Sequence, residues 1–234
     1  METITFDEAM RKLRAKARPD QLEGMARFAI TGEGRLGLSM PDLRALAKDI
    51  GLNHGLALQL WETGIPDAMI LAGLIDDPTK MTRQQVEAWV LDFQSWDVCD
   101  QVCGKLEEVP FADDLINEWA VRDEEFVKRA AFAIIAGLAW HSKTVPDQDF
   151  LRYLEITKQA ATDNRNFVKK AVNWALRNIG KRNIALNKAA LATAREIQAV
   201  DSKAARWIAA DAIRELASEK IQKRLASGRP RPNI

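Results

Sequence analysis

Phe126-Val127-Lys128-Arg129-Ala130 recurs as Phe167-Val168-Lys169-Lys170-Ala171, an offset of 41 residues in a chain of 234. The two runs share an aromatic, an aliphatic and a cationic position in the same order, which marks one structural unit used twice. A spacing near 40 residues is that of a helix, a turn and a second helix. Looser echoes extend the pattern: Ile70-Leu71-Ala72-Gly73-Leu74 matches Ile134-Ile135-Ala136-Gly137-Leu138, and Ala205-Arg206-Trp207-Ile208-Ala209 is a further copy.

Around these runs the apolar residues keep helical periodicity, and Ala, Leu, Glu, Lys and Arg dominate, with almost no alternating β-branched stretch. Breaks fall at 32–39, 51–55, 64–67, 76–82, 109–113, 140–149, 162–166 and 180–183, which leaves room for about ten short helices. The expected fold is therefore all-α, a HEAT-like helical solenoid formed as one domain over residues 1–226, with a basic tail at 227–234. Stacked helix pairs bury a continuous core and curve, so their inner helices offer a partner an elongated surface.

The 47% hydrophobic composition supports a sizeable core. No apolar leader interrupts the charged first thirty residues, and the longest apolar run, Ala68 to Ile75, is far shorter than the roughly 20 residues of a spanning helix. Neither secretion nor membrane contact is expected. Cys99 and Cys103, four apart in a helical pattern, suit reduced core thiols and a cytoplasmic home. Two distant histidines, His54 and His141, give no metal-ligand spacing. Gly32-Glu33-Gly34-Arg35-Leu36-Gly37 has the letters of a dinucleotide fingerprint, but helix rather than strand precedes it, so no nucleotide cofactor is expected. Ser39 with Asp42 three residues on reads as a helix start.

The net charge of +1 hides an asymmetry. Residues 1–119 carry 12 Lys and Arg against 21 Asp and Glu, and residues 120–234 carry 22 against 12. Either a polyanion binds the second half or the charges solvate helix faces; placement decides.

Three helices place charge on outward faces. In the run from Ser95 to Leu106, Val98, Val102 and Leu106 form a core stripe, and Trp96 and Asp100, four apart, point away from it. In the run from Phe126, Val127, Ala131, Ile134 and Leu138 face the core and Arg129 turns roughly 160° from them, by about 100° per residue. In the run from Phe167 to Ile179, Val168, Val172, Ala175 and Ile179 are core, and Lys170, Trp174, Arg177 and Lys181 form the opposite stripe. Cations at such intervals suit a row of phosphates, and a tryptophan among them offers a flat face to a sugar or base. Packing of Trp174 under cationic stems is the alternative.

At these three helices the chain resembles the AlkD-like family of HEAT-repeat DNA glycosylases. Trp96-Asp97-Val98-Cys99-Asp100 is similar to its Trp-Asp-x-x-Asp motif. The resemblance implies that Asp100 is catalytic and that Trp96 lines the lesion site. Lys128-Arg129-Ala130-Ala131 resembles the motif of an arginine that contacts DNA backbone, and Lys170 to Arg177 resembles the motif whose tryptophan, here Trp174, lies against the damaged nucleotide. The sequence departs from the pattern at Ile65-Pro66-Asp67-Ala68-Met69, where a more basic stretch is expected.

The resemblance implies a monomeric base-excision hydrolase that releases cationic alkylated purines, such as N3-methyladenine or N7-methylguanine, from double-stranded DNA without a cofactor and without rotating the base into a pocket. Arg129, Lys170, Arg177 and Lys181 would anchor phosphates. Two other readings stand beside it: a non-catalytic binder of damaged or branched DNA, and a HEAT-like protein-interaction scaffold.

Overall fold

Short polar side chains start many of the helices. Thr5, Ser39, Asn53, Thr82, Asn183 and Ser202 each accept the backbone N–H of the residue three further on, satisfying a donor that the first turn leaves unpaired. Ser39 also donates to Asp42 at 2.6 Å, so the start expected there forms.

The computed structural model describes residues 4–228. Its helices are α1 (Phe6–Ala15), α2 (Leu22–Ala26), α3 (Met40–Ile50), α4 (His54–Trp61), α5 (Pro66–Ile75), α6 (Arg83–Leu91), α7 (Trp96–Leu106), α8 (Ala112–Trp119), α9 (Glu125–His141), α10 (Asp147–Gln159), α11 (Asn166–Gly180), α12 (Ile184–Gln198), α13 (Lys203–Leu216) and α14 (Glu219–Ala226), with 3₁₀ turns at Pro19–Gln21 and Ala160–Thr162. The all-α expectation holds, but the described residues form fourteen α-helices where about ten were expected. The additional breaks, such as 92–95, 120–124 and 199–202, contain neither Gly nor Pro. They end helices through polar residues, so the strongest punctuation signal is missing there. Of the expected basic tail, residues 229–234 lie outside the described residues.

The chain forms two compact units, 1–113 and 114–234. In the first, α5 packs on α3, α4 and α7. Nearly all of α5 is buried, as a helix covered on several sides requires. Gly73 permits the close approach to α7, since a Cβ there would lie 2.9 Å from Val102 Cγ2. The glycine-rich loop before α3 is tied down by buried Asp67, which accepts the N–H of Leu36 at 2.7 Å and of Leu38 at 2.8 Å. Cys99 and Cys103 are buried thiols that form no disulfide.

In the second unit α9, α11 and α13 stack in succession, with α12 packed against α10, α11 and α13. The two halves of the sequence echo meet here: the rings of Phe126 and Phe167 stack with centroids 5.4 Å apart. A second device also repeats. Arg182 Nη1 donates to the carbonyls of Leu138, Ala139 and Ser142 at the end of α9, and Arg224, one repeat later, donates to the carbonyl of Lys181 at the end of α11. Each guanidinium satisfies carbonyls that a helix end leaves open. No helix among the described residues is long and apolar enough to cross a membrane.

Candidate nucleic-acid interface

In the first unit the candidate residues stand at the start of α7. Val98, Cys99, Val102, Cys103 and Leu106 are buried, so the core stripe forms as expected and sets the helix rotation. Ser95 occupies the N-cap position but makes no capping bond. Its hydroxyl instead donates to Asp97 at 2.7 Å and accepts from Arg35 at 3.2 Å. Arg35 grips Asp97 with both terminal nitrogens, at 2.9 and 3.2 Å, and also donates to the carbonyl of Thr31. The two side chains are 5% and 14% exposed. A planar fork on a carboxylate in such shielding holds orientation strongly. Asp97 is therefore committed to fixing α7.

Asp100, one turn after Trp96, is half-buried, as is Trp96. The indole N–H of Trp96 donates to the carbonyl of Phe28 at 2.8 Å. Phe28 itself is 74% exposed, and the next residue, Ala29, has a positive φ of 56°. A carboxylate and a fixed indole thus share the partly open face of one helix. Arg35 and Phe28, which hold this arrangement, were not singled out in the sequence because their partners lie some sixty residues away.

The second unit holds the cationic residues. Arg129 is not outward: it is 5% exposed and Nη1 donates to the carbonyl of Phe167 at 2.7 Å. An outward Arg129 requires one side of α9 to face solvent, whereas twelve residues of α9 are buried. The direction opposite the core stripe is covered by the start of α11.

On α11, Val168, Val172, Ala175 and Ile179 are buried, while Lys170 is exposed and Trp174, Arg177 and Lys181 are half-buried. The stripe therefore faces as expected, but two of its cations have protein partners. Arg177 Nη1 lies 2.5 Å and Lys181 Nζ 3.0 Å from the carboxylate of Glu215. Arg177 Nε is 3.5 Å from Asp211. Burial pushes the Glu215 carboxyl up, but the hydrogen bonds from Lys181 and Arg177 outweigh it and hold it below the usual carboxylate range. These acids belong to α13. One helix read alone does not contain them, although a signal exists: Lys169 meets Trp207, Asn173 meets Asp211 and Arg177 meets Glu215, each pair 38 residues apart.

Residues 9–216 match the family described as DNA alkylation repair enzyme. Uncharacterised proteins of Listeria monocytogenes and Listeria innocua are each 24% identical over 201 residues, 83% of this chain and 87% of theirs. A solved structure described as a new family of proteins related to the HEAT-like repeat DNA glycosylases with affinity for branched DNA structures superposes with a TM-score of 0.78 at 25% identity, covering 97% of this chain and 96% of that one. The fold is thus a HEAT-like repeat.

Proposed function

The chain belongs to the DNA alkylation repair enzyme family, and from that premise we propose that it is a DNA glycosylase that hydrolyses the N-glycosidic bond of cationic alkylated purines. The observation that carries this reading is the pairing of Trp96 and Asp100 on the partly open face of α7, with Asp97 and Trp96 both held by residues of the same unit.

Alkylation at N3 or N7 leaves the purine positively charged. When the glycosidic bond breaks, its electron pair neutralises the departing base, so no general acid is needed. Positive charge builds on the deoxyribose, water adds at C1′ and a proton is lost to solvent. Asp100 stabilises the oxocarbenium-like transition state as a carboxylate and orients the water. Trp96 presents an electron-rich face to the sugar, and Trp174, in the second unit, offers DNA a flat face of its own. Lys170 meets phosphate, while buried Arg129 contributes by fixing the first turn of α11, which carries Lys170 and Trp174.

The test is incubation with methylated duplex DNA and identification of the released base, with Asp100→Asn beside the wild-type protein. Base release that is unchanged in Asp100→Asn removes Asp100 from the mechanism.

A second reading, a non-catalytic binder of branched DNA, is favoured by the affinity described for the similar solved structure. Retention of branched DNA with no base released from methylated duplex would select it.

A further inference from the structure

Trp207 stands out on α13. It is 42% exposed, one of few large apolar side chains left in water. Its neighbours on the same helix, Lys203 and Arg206, are also exposed. From α11, Lys169 Nζ lies 5.0 Å from the ring centroid. The indole is therefore flanked by cations from two helices. Arg206 does have a partner, Asp201 at 2.9 Å, but the side chains are 53% and 100% exposed. Such a pair in water is weak and exchanges readily for a phosphate.

Beside Trp207 lies a cleft of about 580 Å³ lined by Thr162, Asn164, Asp201, Ser202, Lys203 and Arg206. Its walls are polar side chains, the Asp201 carboxylate and two cations, so the lining keeps one net positive charge, and it opens at the start of a fourteen-residue helix. An anion is favoured there by the cations and by the helix dipole together. An exposed indole next to an anion site matches the two parts of a nucleotide. Duplex DNA presents base edges in its grooves, and the flat face of a base becomes available where a strand is unpaired.

We infer that the start of α13 binds an unpaired nucleotide of a DNA strand, with the base stacked on Trp207 and the adjacent phosphate held by Lys203 and Arg206 in the cleft. The inference rests on the reading that the chain holds DNA, and it adds a contact for single-stranded DNA separate from Trp96, Asp100 and Trp174. Lys169 steadies the indole from the α11 side. The residues come from two successive repeats, so the contact depends on the stacking of α11 on α13.

The experiment compares binding of a blunt duplex with binding of the same duplex carrying a short single-stranded overhang, by fluorescence anisotropy across a salt series. The wild-type protein should prefer the overhang probe on the order of tenfold, the range of one base–aromatic stack. Trp207→Ala should abolish that preference and leave blunt-duplex binding and base release unchanged, and Trp207→Phe should keep most of it. Lys203→Gln with Arg206→Gln should flatten the salt dependence for the overhang probe alone. Equal wild-type affinity for both probes, or a preference that survives in Trp207→Ala, overturns the inference while leaving the DNA-holding reading intact. Absence of binding to either probe overturns both. A thermal melt of each variant identifies any loss that comes from unfolding.

Discussion

Glu215 clamps Arg177: one carboxylate oxygen lies 2.5 Å from the guanidinium, and the other takes Lys181 at 3.0 Å. An acid from α13 thus stands where a phosphate would meet the cations of α11. Any phosphate that binds these cations must displace it or share them.

Removing that competitor should strengthen DNA binding. Glu215→Gln is expected to raise affinity for duplex DNA at low salt and to steepen the log–log salt dependence by about one to two, as one or two cations become available to release counterions. Binding titrations over a range of salt concentrations measure the slope. An unchanged slope would mean that Arg177 and Lys181 do not meet phosphate.

The same clamp sets part of the acid stability. Glu215 and Asp163 are held below their ordinary values of 4.5 and 3.8, the latter chiefly by its hydrogen bond from Arg165. A depressed folded-state value means that the contribution is fully present above the unfolded-state value and is lost as pH falls through the folded one. Stability should therefore hold from neutral pH down to about 4–5 and decline below it. Glu215→Gln should flatten part of that decline in acid unfolding curves. A decline of unaltered steepness contradicts the assignment.

Arg129 should behave as a core residue. Arg129→Ala leaves the Phe167 carbonyl without this donor and opens space between α9 and α11, at a cost of about 2–4 kcal/mol. A surface arginine would cost about 0–1 kcal/mol. Denaturant unfolding distinguishes these. A loss of DNA affinity at full stability would instead assign Arg129 to the DNA.

Asp97 and Asp100 should separate cleanly. Arg35→Ala leaves the shielded Asp97 without its ion partner and should destabilise by about 3–5 kcal/mol. Asp100→Asn, which keeps the shape of the side chain, should keep the fold and lower base release by about 10² or more while DNA binding persists. Melting and single-turnover release on the two variants check this, and a strongly destabilised Asp100→Asn would make Asp100 structural as well.

Gly73→Ala tests how α7 is seated. A methyl group 2.9 Å from Val102 Cγ2 and 3.2 Å from its Cα meets a stiff side chain and backbone. The variant should lose about 1–2 kcal/mol net, after the usual gain of about 1 kcal/mol for Ala over Gly in a helix. Base release should fall with it, because α7 carries both Trp96 and Asp100. A stabilised variant would show that α5 and α7 separate at little cost.

The helical class, the repeat and the rotation of α7 and α11 are legible in the residues alone, since they follow from periodicities that a single helix contains. The Phe126 and Phe167 runs do stack on one another, and Val98, Val102 and Leu106 do face inward. Which cations face solvent follows from the packing of one helix on another. Arg129 vanished beneath the start of α11, and Arg177 and Lys181 acquired Glu215, because those partners arrive from helices 34 to 38 residues away. Helical arithmetic gives the direction of a side chain from its own axis. What stands in that direction depends on how the repeats stack, through contacts between residues that are remote in the chain.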